Sequence, residues 1–480
     1  MSGRALRLDN QAFRFLIVGT GLCWSIAFPV IALSHQLQLY GDGAMFSYAV
    51  AVRDVWAFHW HNISGRTSVF LLTLWPAETL VGITGNPRAG IILYGLLFYV
   101  APLAGLAATY AADRSPGRLI FVYGCGSTAL LCPLTFGFPT EMWLAHAIFW
   151  PALALGHYAK PTPVGALLVF IAWLLLAFTH EGALVSLVVI VATLALRGLR
   201  SMIFVRAAIS LMIIILLAAA MKILAPPDEY YADAFLRAAL HFFDPGIFKV
   251  NVVLVLLATV IAYGAILMPL STWLPRWACI CALGLSSALL FIYWLHFDHS
   301  VHASSRYYFR TALVIATPLL GTLAALAAMT SEGIVLNRAA RLRHALVSPP
   351  ARIRCALASL FLLVTMIHAV ETAKFVASWS DYRNAIAALA MGNESDAALG
   401  DPRFVSAGRV SPALAPMSWF STIPYLSIIL SNFSPNRLVI DPTGNYFWLS
   451  CETATRNRDA DLAVPMQTRE LVRIYSCLHR

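Results

Sequence analysis

The chain has 480 residues, of which 60% are hydrophobic and 12% charged, with a formal net charge of +10. A mean hydropathy of +0.74 and apolar runs of about 20 residues exclude a water-soluble protein with an ordinary core and indicate a polytopic membrane protein. Its spans are helices, because lipid offers no partner to exposed backbone groups. A transmembrane β-barrel is excluded because the runs do not alternate polar with apolar, and nucleic-acid binding because Lys and Arg cluster between the runs as loop charge.

Arg4, Arg7 and Arg14 precede the first apolar run. Its length and the lack of a small-x-small site predict an uncleaved first span rather than a signal peptide. The fold class predicted is all-α polytopic with about 11 transmembrane helices. These fall near 14–34, 89–111, 118–135, 141–157, 164–180, 183–197, 202–224, 251–271, 277–296, 308–329 and 354–372.

Connections then alternate in charge. One set carries Arg114, Arg118, Lys160, Arg197, Arg200, Arg276 and the loop with Arg338, Arg341, Arg343, Arg352 and Arg354. The other carries Asp42, Glu141, Glu181, Asp228, Glu229, Asp233 and Asp298. The basic set shares a side with the N-terminus and is expected to be cytoplasmic. The segment 68–84 decides the parity. It is apolar but short and contains Pro76 and Glu78, and a crossing there would move every later basic loop outside. It is therefore read as part of one large first external loop, about 35–88, with amphipathic pieces and Trp56, Trp60 and Trp75 at interfacial depth.

Residues 1–372 form the predicted transmembrane domain. The tail, 373–480, has near-balanced charge and short β-prone runs (RLVID, NYFWLS), which predict a small extracytoplasmic α/β domain. The run 419–430 is too short to cross and is expected at the interface or over a groove. Cys23, Cys125, Cys132, Cys279, Cys281 and Cys355 fall in or beside apolar runs, where a thiol is a small buried hydrophobe. Cys451 and Cys477 stand in the tail, where an oxidising exterior would let them form a disulfide.

Five constellations carry ionisable chemistry. Asp42 lies between Gly41 and Gly43, which let the backbone turn tightly just past the first span. Its carboxylate is placed to accept a proton or to hold a divalent cation; helix capping is the alternative. Glu141 follows Pro139 at a helix start, either functional or complementing the dipole. His146, more than a turn deeper, reads as a packed core histidine. His180 and Glu181 form the turn of a short-armed helical hairpin, where ionisable groups face a partner or a cavity; hairpin capping is the alternative. His59 and His61 read as an interfacial pair. Arg306 and Arg310, at i and i+4 on one helix face, can grip phosphate with forked hydrogen bonds or anchor the span beside Tyr307 and Tyr308. Asp298, His299 and His302 lie nearby.

An acid just after span one, interfacial segments in that loop and an R-Y pair opening a late span together resemble the GT-C class of integral-membrane glycosyltransferases that use polyprenyl-phosphate sugars. The resemblance implies Asp42 as catalytic base or metal ligand (Mg or Mn) and Arg306 as donor-phosphate ligand. The chain departs from the family pattern twice: the next acid after Asp42 is Asp54, and the proline after R-Y comes only at Pro318.

The function expected is transfer of a sugar from a polyprenyl-phosphate donor to an extracytoplasmic glycan or lipid acceptor, in the bacterial cytoplasmic (inner) membrane. Asp42 with Glu141, Glu181 and His180 would be catalytic, and Arg306 and Arg310 would hold the phosphate. The alternatives are a lipid-linked polysaccharide ligase or polymerase, and a polytopic transporter or flippase. The partners expected are the lipid-linked donor, the acceptor and membrane lipids, with no nucleic acid.

Overall fold

The structure is a computed structural model that describes residues 9–53, 55, 66–135, 138–224, 284, 288, 306–334, 347–349, 351–392, 404–419 and 422–441. Among these the chain is mostly helical. In order come α1 (Asn10–Ser34), α2 (Asp42–Val52), α3 (Arg66–Thr84, with a π-helical turn at Phe70–Leu74), α4 (Pro87–Ala112) and α5 (Leu119–Leu131). They are followed by α6 (Glu141–Tyr158), α7 (Pro163–Ala177), α8 (Glu181–Ala195), α9 (Met202–Leu224), α10 (Arg306–Ser331) and α11 (Ala351–Met391). Two short parallel strands, β1 (Phe404–Ser406) and β2 (Leu438–Ile440), pair Phe404 with Leu438, and α12 (Ile423–Leu430) lies between them in the chain.

Helix starts follow local chemistry. Asn86 accepts hydrogen bonds from the Arg88 and Ala89 amides ahead of Pro87, and Thr162 accepts one from Gly165 ahead of Pro163. These are polar N-caps followed by a proline at N1, which needs no amide partner. Nine of the eleven predicted apolar segments coincide with a helix, while 251–271 and 277–296 lie outside the described residues.

Among the described residues six helices are long and apolar enough to cross a bilayer by length and composition: Asn10–Ser34, Arg66–Thr84, Pro87–Ala112, Met202–Leu224, Leu313–Ser331 and Leu357–Met391. The apolar helices α5, α7 and α8 have only 13, 15 and 15 residues, about 20–23 Å at 1.5 Å per residue. Large apolar side chains stay exposed along the bundle, Val30 and Leu216 at 62% each. In water this would be a liability; in lipid it costs nothing.

Packing sets the directions of the helices. Gly21 of α1 meets Cys125 of α5. Phe98 of α4 stacks on Trp143 of α6, and a Cβ added at Gly105 would lie 2.2 Å from the Ala147 carbonyl. Contacts that rise together in residue number make α4 and α6 parallel, and small residues at such crossings let helices in lipid approach closely. One end of the bundle therefore holds the starts of α4 and α6, and the other holds Arg14, Arg114, Arg118, Arg197 and Glu332.

This arrangement fixes the course of α3. Its first described residue, Arg66, bonds Glu141 at the start of α6, and its later turns meet Gly90 near the start of α4 through Ala77 and Val81. Both ends of its described stretch therefore lie toward the same end of the bundle.

Two details differ from the sequence expectation. The helix predicted over 354–372 runs on unbroken to Met391; charged residues such as Glu371, Lys374, Asp381 and Arg383 end a hydropathy run but do not end a helix. Lys374 pairs with Glu371 at 3.0 Å. Cys23, expected to be buried, is exposed on α1, whereas Cys125 and Cys132 are buried. The side chain of Cys355, together with Cys279, Cys281, Cys451 and Cys477, lies outside the described residues.

α11 also closes the end of α1. Its Trp379 and Arg383 donate to the His35 carbonyl at 3.1 and 2.8 Å, and Arg383 also reaches Gln36 at 2.8 Å. A cation there complements the negative end of the helix dipole. The segment predicted to lie at the interface or over a groove, 419–430, contributes Trp419, stacked on Phe138 at 5.0 Å, and α12, whose Tyr425 packs on Tyr48 of α2 at 5.1 Å. The described tail thus covers α2.

Candidate functional site

Asp42 opens α2. The cap is Gly41 rather than Asp42 itself, at φ 59° and ψ −133°, a conformation for glycine only. There is no space for side chains on either flank. A Cβ at Gly41 would lie 2.7 Å from the Phe138 ring, and one at Gly43 would lie 2.1 Å from the Gln38 carbonyl and 2.6 Å from Pro139. The G-D-G sequence is therefore a wedge between the end of α1 and the start of α6, and it holds a half-buried carboxylate in a fixed place.

Thr140 caps α6, with its hydroxyl 3.4 Å from the Met142 amide, and Glu141 follows as the first helical residue, 6% exposed. Arg66, at the start of α3, bonds Glu141 at 2.5 Å. Arg66 is held there partly because the next turn of α3 is tied to the α7–α8 hairpin, where the Ser68 amide donates to the Phe178 carbonyl at 3.0 Å.

That hairpin turn carries His180 and Glu181. His180 is the N-cap of α8: its Nδ1 accepts from the Gly182 amide at 3.0 Å, the capping role weighed from sequence. Glu181 pairs with Lys222 near the end of α9 at 3.2 Å. The Arg66 guanidinium lies within Coulombic reach of Glu181 and Asp42 as well as Glu141. The Tyr94 hydroxyl on α4 lies within reach of Glu141 and Asp42.

The structure thus gathers three of the acids singled out from sequence, Asp42, Glu141 and Glu181, around Arg66. Asp42, Glu141 and Glu181 each stand at the first position of a helix, and Arg66 is the first described residue of α3, all at one end of the bundle. Among the described residues the cluster holds three carboxylates against the two cations Arg66 and Lys222. Such an ionisable cluster is costly next to lipid and occurs where a partner or a pathway needs it.

Arg306 and Arg310 lie in the first turns of α10, and their side chains lie outside the described residues. The backbone brings them to the same end. Val314, one turn after Arg310, contacts the space above Gly182, 3.3 Å from the position of an added Cβ, so the start of α10 lies beside the start of α8.

His146 is a core histidine, as expected: it is 1% exposed and bridges Thr128 and Thr317 at 3.3 and 2.9 Å. His59, His61, Asp54, Trp56, Trp60, Asp298, His299 and His302 lie outside the described residues.

Arg66 and Lys222 were not singled out by sequence reasoning. Each is one cation at the edge of an apolar segment, which also describes an interfacial anchor. The available signal was charge balance, since three acids converging at a membrane boundary need counter-charge.

Among the described residues no three His, Cys, Asp or Glu side chains group as metal ligands would, and Glu141 and Glu181 each already face a cation of the chain itself. The described residues thus do not by themselves gather a donor set for the divalent cation (Mg or Mn) expected at Asp42, and Asp54, His59 and His61 of the same loop lie outside them. No family model matches the chain, and no curated protein matches it.

Proposed function

We propose that this chain is a membrane glycosyltransferase of GT-C layout, moving a sugar from a polyprenyl-phosphate donor to an extracytoplasmic glycan or lipid acceptor. The observation that carries the reading is the meeting of Asp42, Arg66, Glu141 and Glu181 at the end of the bundle opposite the arginine-rich connections. By the positive-inside rule that end is extracytoplasmic, the N-terminus is cytoplasmic and the tail lies outside, in the inner membrane of a bacterium. The layout is about eleven crossings with a small α/β tail domain. The placing of Arg66 and the Ala77–Val81 turn of α3 toward one end favours this count, because a crossing there would make the number of crossings before the tail even.

In the reaction, the acceptor hydroxyl oxygen attacks the anomeric carbon of the donor. Asp42 takes the hydroxyl proton. The bond from the anomeric carbon to phosphate oxygen breaks, and the electron pair leaves with the polyprenyl phosphate, inverting the anomeric centre. Arg66, with Arg306 and Arg310 from the start of α10, stabilises the departing phosphate, for which guanidinium is the suited cation. Glu141 and Glu181 hold Arg66 in place. His180 fixes the hairpin turn that carries Glu181.

The test replaces the native gene by Asp42→Asn and reads the envelope glycan profile together with the ratio of polyprenyl-phosphate sugar to polyprenyl phosphate. Loss of a general base lowers the rate by about 10²–10⁴-fold, so the sugar-loaded lipid accumulates and one glycan is lost. An unchanged profile, with the variant present at its normal level, removes Asp42 from the reaction and the transferase reading with it.

A further inference from the structure

The end of the bundle away from Asp42 holds a second site of a different kind. Where α1 passes the α4–α5 connection there is a cavity of about 640 Å³, within the range of about 300–1,000 Å³ common for small-molecule sites. Arg14, Arg114 and Arg118 line it, and so do the apolar Phe15, Val18 and Phe121.

The single carboxylate in its wall does not neutralise these arginines. Asp113 is fully buried, and its two oxygens accept from the Ser115 and Phe121 amides at 2.8 and 2.9 Å. It is spent on the connection and first turn of α5. Arg118 lies over the Tyr110 ring at 3.8 Å and donates to the Tyr110 and Asp113 carbonyls, while Arg14 donates to the Val347 carbonyl at 3.3 Å. Carbonyls orient a guanidinium without cancelling its charge. Among the described residues no carboxylate forms an ion pair with Arg14, Arg114 or Arg118.

The cavity therefore joins three uncompensated positive charges to an apolar flank that opens to the surroundings of the bundle. Phe15 is 67% exposed and Tyr110 50%. A soluble anion would use the charges and leave the flank unused. A neutral lipid would use the flank and leave the charges unmet. We propose that this cavity binds an anionic glycerophospholipid from the adjoining leaflet, its phosphate among Arg14, Arg114 and Arg118 and its acyl chains along Phe15, Val18 and Phe121. Basic pockets between membrane helices suit such headgroups. The inference does not depend on the transferase reading.

The test uses the full chain purified in a neutral detergent. Phosphatidylglycerol, phosphatidylcholine and inorganic phosphate are titrated separately, with retained lipid read by native mass spectrometry and the thermal midpoint by intrinsic fluorescence. Phosphatidylglycerol is expected to be retained as one molecule per chain and to raise the midpoint, with the other two showing neither effect. Each arginine removed by Arg14→Gln or Arg114→Gln weakens retention about fivefold. Arg14→Lys with Arg114→Lys keeps retention and guards against misfolding as the cause. Arg200→Gln, another exposed arginine of this end, leaves retention unchanged. Equal retention of phosphatidylcholine, an equal midpoint shift with inorganic phosphate, or an equal loss in Arg200→Gln overturns the proposal.

Discussion

Arg66 and Glu141, 75 positions apart in the chain, are joined by a hydrogen-bonded ion pair of 2.5 Å at the junction of α3, α6 and the α7–α8 turn. The Glu141 side chain is 7% exposed and that of Arg66 23%, so removing one partner strands the other away from water. Arg66→Ala is expected to lower stability by about 3 kcal/mol, at the low end for a broken buried pair because Arg66 keeps some exposure. The double change Arg66→Ala, Glu141→Ala recovers part of that loss. Lys222→Met costs under about 1 kcal/mol, since the lysine is one-third exposed and well screened. Detergent-solubilised thermal inactivation of the four proteins measures this ranking, and a Lys222 effect as large as that of Arg66 would contradict it.

The wedge around Asp42 gives a second expectation. Gly43→Ala places a methyl 2.1 Å from the Gln38 carbonyl, so backbone must move, at about 1–3 kcal/mol. Activity should fall further than stability, because the carboxylate moves with the turn. Gly19→Ala on α1 meets nothing within 4 Å and gains helix propensity of about 0.5–1 kcal/mol. Side-by-side melting curves of the two alanine variants read the difference directly.

The π-helical turn at Phe70–Leu74 is one extra residue in α3, and π turns often mark functional positions. Deleting Leu72 would restore a regular helix and rotate Arg66 by about 100° relative to Ala77 and Val81. The expected result is loss of the Glu141 pair while α3 stays packed on α4. A Cys pair placed at 66 and 141 is bridged by a bifunctional maleimide in the parent and is not bridged in the deletion.

Sidedness is open to direct labelling. In a background without native cysteines, Thr84→Cys and Ser434→Cys should react with an impermeant maleimide added outside intact cells. Arg200→Cys should react only after the membrane is permeabilised. Equal reaction of Thr84→Cys and Arg200→Cys from outside would contradict the orientation and, with it, the location of the acid cluster.

Much of this architecture is legible in the chain because hydropathy reports burial in lipid. The runs at 89–111 and 202–224 fall within one or two residues of α4 and α9. Hydropathy does not report helix continuation into water, which is why α11 passes beyond 372 as far as Met391. It also cannot say where α3 goes. Arg66–Thr84 is long and apolar enough to cross; only its contacts with Glu141 and Gly90 place Arg66 and the Ala77–Val81 turn toward one end. Asp42, Glu141 and Glu181 stood out because an acid beside an apolar run needs a reason to be there. Arg66 and Lys222 did not, because a cation at a membrane boundary has a ready explanation as an anchor. Pairing across 75 positions is a property of packing, and no local window contains it.

The dispersed cluster has a consequence for biogenesis. The ribosome delivers its charges in the order Asp42, Arg66, Glu141, Glu181, Lys222, over roughly 180 residues of synthesis, and folding of such chains proceeds from the N-terminus. Arg66 emerges before Glu141, so that acid reaches the translocon with its counter-ion already in the membrane. Glu181 emerges ahead of Lys222 and lacks that counter-ion until α9 is released. The interval between α8 and α9 is therefore a stage of synthesis at which the cluster's carboxylates outnumber the cations Arg66 and Lys222 by the most.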